Sequence, residues 1–389
     1  MYNRGTKYLE KRNYLKAIQC FKKQLKTHSF KELHLNLANS YRALSNISLA
    51  EKHYNISNDP ATPFANGTFA PSYNLALNNL GLLEYWKGDD VSAIKWYKVA
   101  LELDPTHADA VWNYGNALLR MSSCASTIGW QAYEYRFKRS GTAVRIDLSI
   151  PVWDGISTGD SICVQCEQGL GDKIMFGRYL SLVALKFKEV YVVCHPSLDV
   201  FFSDYKIVRS VSESNATCTI GICSLAQYYG VISEKWLEGK FNNVREFDKS
   251  RLNIGCVWTG SVTHSNNANR SCAGYYFSSL AEYGNLYGLN PSDPSARHVT
   301  ALSPSSWEET ASIVLGLDVV VTVDTSIVHL CGTLGVPCIM IQPLHETDFR
   351  WGPIDSISTV WYDSVRIVPN FGWDKAFKDV KEILECIKK

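Results

Sequence analysis

Four polar segments of this 389-residue chain follow apolar runs that are typical of buried strands. The first segment is residues 167–173, EQGLGDK, and the helical pattern after it predicts a strand-loop-helix unit. Glycines at such a turn let the backbone approach a ligand, and the free N–H groups of the helix start face that ligand. The loop lacks the third glycine of a dinucleotide fingerprint, and Asp172 is also a natural helix N-cap.

A second segment, residues 319–330, reads VVVTVDTSIVHL and predicts a buried strand that runs directly into a helix. The first turn of that helix presents Asp324, Thr325 and Ser326, and His329 lies near the same helix start. Hydroxyls and backbone N–H donors at a helix start suit a diphosphate, and the helix dipole adds to the attraction. The alternative is a capped helix that carries a buried core histidine.

The third segment is a polar loop at residues 258–271, which leaves a predicted strand at residues 252–258. Ligands of open α/β sheets bind at the carboxyl ends of strands, where this loop lies, although a solvated surface loop is the alternative. The fourth segment, DFRW at residues 348–351, adds a second guanidinium on Arg350. Basic groups that converge without a carboxylate cluster argue against a phosphate carried by a metal ion. The candidate ligand-binding residues of the third loop are Thr259, Gly260, Ser261, His264 and Arg270.

The elements that must position these segments alternate between strand and helix from residue 151 onwards. Such alternation predicts parallel sheets with helices on both faces. A polar stretch at residues 238–250 separates two groups of strands, which indicates two Rossmann-like halves with a cleft between them. Residues 285–304 show no clear strand pattern. The predicted strands are residues 161–166, 190–194, 220–223, 252–258, 319–323, 338–341 and 366–368.

The first part of the chain repeats a different pattern, in which small and aromatic residues recur at fixed offsets. Small residues let two antiparallel helices pack closely, and an aromatic residue fills the seam between them. A loop rich in Pro, Asn and Gly at residues 58–72 lengthens one repeat, and residues 129–139 predict an amphipathic helix that caps the array. The matching positions are Gly5, Tyr8, Ala17 and Phe21; Ala38, Tyr41, Ala50 and Tyr54; and Gly81, Ala93, Tyr97 and Ala100.

Composition excludes several classes of protein. A hydrophobic content of 46% with 20% charged residues is typical of globular domains, and no apolar run reaches the length of a membrane span. We expect a cytoplasmic protein, because its twelve cysteines are scattered and no secretory signal pattern is present. Cys163 and Cys166 lack a second cysteine pair at zinc-site spacing, so we expect no metal site. Residues 1–150 hold 19 Lys+Arg against 12 Asp+Glu, whereas residues 151–389 hold 20 against 26. The basic excess of the first half fits either a solvated helix face or an acidic partner.

Six segments occur in order along the chain: GWQAYEYRFKR, PVWDG, EQGLGDKIMFGRYL, VWTGSVTHSNNANRS, VDTSIVHLCGTLGVP and DFRWG. Placed after helical repeats, they resemble the bacterial tetratricopeptide-repeat glycosyltransferases, whose carboxyl-terminal half is similar to the heptosyltransferases and, more distantly, to the O-linked N-acetylglucosamine transferases. The resemblance covers almost the whole chain. It implies an α + α/β fold, with a tetratricopeptide-repeat α-solenoid and a GT-B pair of Rossmann-like domains. The implied domains are the repeats with their capping helix at 1–140, an acceptor-side domain at 151–250 and a nucleotide-sugar domain at 251–389.

The resemblance also implies roles for the candidate residues. Asp172 falls on the aspartate that is proposed as general base in the heptosyltransferase-like enzymes, and His264 is the next candidate because it titrates nearer neutrality. Gly169, Gly171 and Lys173 complete the acceptor-side loop. Arg270 takes the place of a lysine that heptosyltransferases use near the phosphate. The implied donor-binding residues are Thr259, Gly260, Ser261, Arg270, Asp324, Thr325, Ser326, His329 and Arg350.

The expected activity is transfer of a hexose or heptose from a UDP- or GDP-linked donor to a hydroxyl group, with inversion and without a metal ion or other cofactor. Repeat arrays bind extended partners, so we expect a polymeric or acidic acceptor: a protein, a polysaccharide or, less favoured, DNA. Two alternatives remain. One is a non-catalytic repeat scaffold that binds a protein partner, and the other is a glycosyltransferase that acts on hydroxylated-base DNA.

Overall fold

The computed structural model describes the chain except for residues 45, 66–71, 140, 142–143, 265, 291–292, 344 and 389. The described chain forms two compact units. The first comprises Met1–Leu118 with Lys138–Ser140, and the second comprises Leu119–Phe137 with Gly141–Lys389. No described helix is long and apolar enough to cross a membrane.

The first unit consists of helical hairpins. Within each hairpin the two helices pack through the small and aromatic residues of the repeat pattern. A Cβ atom on Gly81 would lie 2.6 Å from the ring of Tyr97, and Gly5 faces Phe21 in the same way. The helices are α1 (Tyr2–Glu10), α2 (Tyr14–Leu25), α3 (Lys31–Ala43), α4 (Ile47–Asn58), α5 (Ser72–Lys87), α6 (Asp90–Leu103) and α7 (Ala108–Met121).

The second helix of each hairpin begins at a side-chain cap. Asn13 accepts from the N–H of Lys16, and Asn46 and Asp89 accept from equivalent N–H groups at the starts of α4 and α6. Such a cap satisfies one of the N–H groups that a helix start leaves unpaired. The caps therefore fix the same helix boundary in all three hairpins, which confirms the predicted repeats. Part of the predicted loop at residues 58–72 lies outside the described residues.

The helix predicted to cap the repeats belongs to the second unit instead. This segment forms α8 (Thr127–Tyr133) and a 3₁₀ turn (Glu134–Phe137). The Trp130 indole packs edge-on against Phe176, Phe349 and Trp361, at centroid distances of 6.3, 5.7 and 6.3 Å. Its apolar face is thus covered by α/β residues, and the compact units divide at residue 118 rather than at residue 140.

The second unit also contains two sheets of mainly parallel strands. The strands of one sheet precede residue 250 in the chain and those of the other follow it, as the prediction of two Rossmann-like halves requires. The strands are β1 (Gly159–Gln165), β2 (Phe187–Val193), β3 (Lys206–Val208), β4 (Cys218–Gly221), β5 (Leu252–Val257), β6 (Gly284–Gly288), β7 (Val299–Ala301), β8 (Val319–Val323), β9 (Cys338–Gln342), β10 (Ser358–Thr359) and β11 (Tyr362–Pro369). The first sheet has the order β3-β2-β1-β4 and the second the order β10-β11-β9-β8-β5-β6-β7, and the described strands pair in parallel except for β10 with β11.

Helices connect these strands and pack against the sheets. They are α9 (Leu170–Phe176), α10 (Leu180–Ala184), α11 (Asp199–Phe202), α12 (Ala226–Tyr229), α13 (Asn267–Arg270), α14 (Tyr275–Ser278), α15 (Trp307–Gly316), α16 (Ser326–Leu334) and α17 (Trp373–Lys388). The predicted fold class, helical repeats followed by a pair of Rossmann-like domains, is confirmed. Residues 285–304 differ from the sequence pattern, because they contain most of β6 and all of β7. β6 begins and ends with glycine, which weakens the strand pattern in the sequence.

Candidate active site

Two helix starts meet in the second unit. α9 follows β1 through the glycine-rich loop, in which Gln168 has a φ of 69°, and α16 follows β8 directly. A Cβ atom on Gly171 would lie 2.6 Å from Cδ2 of His329 and 3.3 Å from Cα of Ser326. Only a glycine therefore allows α9 to approach α16 this closely. The hydroxyl of Thr325 caps α16 by accepting from the N–H of Ile327.

A cavity of about 570 Å³ opens beside these helix starts. The four polar segments of the sequence analysis, residues 167–173, 258–271, 319–330 and 348–351, all contribute residues to its wall. Two predicted residues lie outside the wall: Lys173, and Thr259, whose hydroxyl is 3.0 Å from that of Ser271. The predicted residues that line the cavity are Gly169, Gly171, Asp172, Gly260, Ser261, His264, Arg270, Asp324, Thr325, Ser326, His329 and Arg350.

Arg270 supplies a positive charge that no carboxylate of the described residues neutralises by an ion pair. Its side chain lies against Gly260, where a Cβ atom would be 2.5 Å from Nη2. Its Nε is buried and has no hydrogen-bond partner. An unpaired buried donor on a cation is costly unless a ligand or water satisfies it, so Arg270 is suited to hold an anion.

Arg350, in contrast, is fully engaged by the protein at both terminal nitrogens. Nη1 lies 2.8 Å from both oxygens of Asp348, and Nη2 donates to Asp172 Oδ1 at 2.5 Å and to the hydroxyl of Tyr133 at 3.1 Å. Burial alone would lower the pKa of Arg350, but Asp172 and Asp348 raise it well above its ordinary value. The guanidinium is therefore charged, and the two carboxylates more than offset its single charge.

Asp172 combines the two interpretations open from the sequence. Its Oδ2 accepts from the N–H of Gly169 at 3.0 Å, which makes it part of the N-terminal cap of α9. Its Oδ1 contacts Arg350, and the carboxylate also lines the cavity. The side chain is thus a helix cap and a group that a bound molecule can reach.

Two further groups beside the cavity have shifted pKa values. His329 is buried, stacks on Trp351 at 5.1 Å and contacts the Tyr362 hydroxyl through Nδ1 at 2.8 Å. Burial, then repulsion from Arg350, lowers the pKa of His329 to about 3, so the ring is neutral. Burial, then repulsion from Asp348, raises the pKa of Asp324 to about 6.

The second predicted base, His264, lies in the exposed part of the loop between β5 and α13. Its Nδ1 accepts from the N–H of Asn266 at 3.2 Å. Desolvation, followed by repulsion from Arg270, lowers the pKa of this imidazole. The ring lines the cavity and is neutral near pH 7, so it has the position and protonation state of a base.

Several lining residues were not identified from the sequence. Asp348 and Trp351 belong to the DFRW segment, where only Arg350 was noted. Tyr133 contacts Arg350 without lining the cavity, and it lies in the segment assigned to the repeat cap. Four carboxylates reach the wall, so the expected absence of a carboxylate cluster is wrong, although no three metal-ligating side chains of the described residues gather as a metal site. The additional lining residues are Gln168, Leu170, Thr263, Asn266, Glu346, Asp348 and Trp351.

No family model matches the sequence, and no curated protein matches it significantly. Among solved structures, the chain is similar to the C-terminal part of a TPR repeat-containing protein from Cytophaga hutchinsonii, at 20% identity and a TM-score of 0.29. That match covers 35% of this chain and 50% of that chain, so this chain spans only half of that protein piece.

Two sugar transferases are also similar. E. coli heptosyltransferase WaaC, solved with ADP-2-deoxy-2-fluoro heptose, is 10% identical, with 58% of this chain and 99% of that chain covered and a TM-score of 0.41. A mutant O-GlcNAc transferase from Thermobaculum terrenum is 12% identical, with 100% and 90% covered and a TM-score of 0.35. These are the classes that the sequence motifs resemble.

Proposed function

We propose that this chain is a glycosyltransferase that moves a sugar from a nucleoside-diphosphate donor to a hydroxyl of an acceptor. The observation that carries the proposal is that Arg270 and the start of α16 share one cavity with the Asp172 carboxylate. The first two offer positive charge and N–H donors to an anion, and the third can accept a proton.

The donor diphosphate would bind at the start of α16 beside Arg270. Negative charge builds on the departing diphosphate as the bond from the anomeric carbon to the phosphate oxygen breaks. The N–H groups and hydroxyls of Thr325 and Ser326, the helix dipole and Arg270 would stabilise that charge more strongly in the transition state than in the ground state. We propose that these groups suffice without a divalent cation.

On the acceptor side, Asp172 would take the proton of the attacking hydroxyl as its oxygen bonds to the anomeric carbon. We propose direct displacement, in which bond formation, bond cleavage and proton transfer belong to one inverting step. His264 is the alternative acceptor of the proton, since it lines the same cavity.

The donor is proposed to be a UDP- or GDP-linked hexose or heptose, and the acceptor a polymer or an acidic molecule. Support for the acceptor class comes from the first unit, where exposed Lys and Arg side chains cover α1 and α2 and Glu10 is the single acidic residue of both helices. A protein or a polysaccharide fits such a surface, and DNA is less favoured. Twelve unpaired cysteines support a reducing, cytoplasmic location.

Calorimetric titration with UDP, GDP, CDP and ADP tests the donor site directly. We expect one of them to bind to the wild-type chain, and Arg270→Gln to weaken that binding by about 10-fold or more, as for loss of a charge-assisted hydrogen bond. Ser203→Ala is a control on the surface of the same unit. Failure of all four nucleotides to bind would reject the proposal.

A transfer assay with the matching nucleotide sugar then tests the chemistry. Activity should persist in the presence of a chelator, and the anomeric configuration of the product should be inverted relative to the donor. Asp172→Asn should lower kcat by roughly 10²- to 10⁴-fold with little change in nucleotide affinity. Activity that strictly requires added Mg²⁺ or Mn²⁺ would overturn the metal-free mechanism, and a product of retained configuration would overturn the inverting one.

A further inference from the structure

The side chain of Arg350 joins three separate elements of the second unit. It lies in the 3₁₀ turn Phe349–Trp351 after β9, in the half built on the larger sheet. Its Nη2 reaches Asp172 on α9, which belongs to the half built on the smaller sheet, and Tyr133 at the end of α8. Asp348 holds the other terminal nitrogen in two contacts of 2.8 Å. The Arg350 side chain is 7% exposed, and its two terminal nitrogens are held by these three partners.

Asp172 depends on this arrangement for its orientation. One carboxylate oxygen accepts from the backbone of Gly169 and the other from Arg350. Two donors on two different oxygens fix the plane of the carboxylate, whereas the Gly169 bond alone would leave rotation about the side-chain bonds. Loss of the Arg350 guanidinium would therefore leave Oδ1 of Asp172 without this donor and allow the carboxylate to rotate.

The charges around Arg350 also indicate that it interacts with the protein and not with a ligand phosphate. Asp172 and Asp348 share the single charge of Arg350, so Arg350 has little attraction left for a phosphate. Arg270 differs because it forms no ion pair with the described residues, whereas the Nε atoms of both arginines are buried and have no hydrogen-bond partner there. The two arginines of the cavity thus have different tasks.

We propose that Arg350 is a positioning residue, which holds the Asp172 carboxylate in its reactive orientation across the boundary between the two halves, and that it is not a ligand of the donor phosphates. The inference rests on the proposed function, in which Asp172 is the base. Tyr133 supports Arg350 through its hydroxyl, so α8 contributes to the site without contacting the substrate.

Arg350→Lys keeps the charge but cannot contact Asp172 and Asp348 at once. We expect kcat to fall by about 10²-fold, as for a displacement of a reacting group by roughly 1 Å, while the calorimetric Kd for the nucleoside diphosphate that binds best among UDP, GDP, CDP and ADP changes less than about 3-fold. Arg270→Lys is the matched control and should raise that Kd instead. If Arg350→Lys raises the Kd as strongly as Arg270→Lys does and leaves kcat unchanged, the proposal is wrong.

A double-mutant cycle shows whether Arg350 acts through Asp172. In the Asp172→Asn background, Arg350→Lys should lower kcat by no more than about 2-fold, because the group that it orients is already lost. Multiplication of the two single effects would overturn the proposal. Tyr133→Phe removes only the hydroxyl and should lower kcat less than Arg350→Lys does, at an unchanged Kd.

The same cycle can be measured by urea unfolding, without any substrate. The combined loss in the midpoint should be smaller than the sum of the two single losses, because both variants disturb the same contact between residues 172 and 350. Additive losses would show that the two side chains do not interact and would overturn the proposal. Non-additive losses in a chain that transfers no sugar would instead locate the failure in the proposed function.

Discussion

Replacement of Gly171 by alanine tests whether the contact between α9 and α16 sets the geometry of the cavity. The added Cβ would lie 2.6 Å from Cδ2 of His329 and 3.3 Å from the backbone Cα of Ser326. His329 cannot move aside easily, because its ring stacks on Trp351 and its Nδ1 contacts the hydroxyl of Tyr362. The helix that carries Asp172 must therefore move.

The size of the effect follows from these distances. Carbon atoms in contact lie at about 3.5 Å, so the start of α9 should be displaced by roughly 1 Å. Overpacking of this kind costs about 1–3 kcal/mol of unfolding free energy. A displacement of roughly 1 Å at a reacting group lowers the rate by up to about 10²-fold. We therefore expect a modest loss of stability and a large loss of kcat.

The assays are urea unfolding and steady-state transfer at saturating donor. Gly159→Ala is the matched control, because its Cβ would lie 3.0 Å from a ring carbon of Phe187, at the start of β1 and away from the cavity. The control should lose stability but keep kcat. If Gly171→Ala keeps the wild-type kcat, the close approach of the two helices does not determine the position of Asp172, and the reasoning is refuted.

Three more predictions concern protons and charge. Asp324, whose pKa is raised to about 6, should take up a proton when an anion binds beside it, so nucleoside diphosphates should bind more tightly at pH 5.5 than at pH 7.5. In calorimetry, Asp324→Asn should show a weaker pH dependence of binding than the wild type, and equal pH profiles would contradict the prediction. His329 has a pKa of about 3 in the folded chain against an ordinary value of 6.5, so the free energy of unfolding should fall as the pH drops from about 6.5 towards 3, by at most ~1.4 kcal/mol per pH unit. Urea unfolding of His329→Gln should show a smaller change of that free energy with pH. The triple variant Lys7→Ser, Lys11→Ser and Lys23→Ser removes exposed charges from the first two helices and the turn between them. It should reduce the salt dependence of binding to a polyanionic acceptor while the nucleotide Kd stays unchanged, and an unaltered salt dependence would exclude this surface from acceptor binding.

The repeats were predictable because their packing depends on local pairs. A small residue opposite an aromatic one, as in Gly81 and Tyr97, has one natural arrangement in a helical hairpin, and the offset repeats it along the chain. The placement of α8 was not predictable in this way. Its periodicity shows that an apolar face exists, but the residues that cover Trp130 come from positions up to 231 residues further along the chain, at Phe349 and Trp361.

The convergence of the four polar segments was also predictable in outline. Each follows a parallel strand, one in the smaller sheet and three in the larger sheet, and ligands of open α/β sheets bind at the carboxyl ends of such strands. The sequence could not show which charges pair, because the ion pair of Asp172 with Arg350 joins α9 in one half of the unit to a 3₁₀ turn in the other half. Counting charges in the sequence therefore assigned Arg350 to the ligand, whereas the structure shows it bound to protein carboxylates.

This pairing leaves little positive charge in the cavity for a ligand. Asp172 and Asp348 together outweigh the single charge of Arg350, so a diphosphate depends on Arg270 and on the start of α16, whose dipole is worth about half a unit charge. Asp324 lines the same cavity and opposes the ligand when ionised. Because the pKa of Asp324 is already raised to about 6 and a bound anion would raise it further, protonation of this side chain removes an opposing charge. We therefore expect binding of the proposed donor to be coupled to uptake of a proton at Asp324.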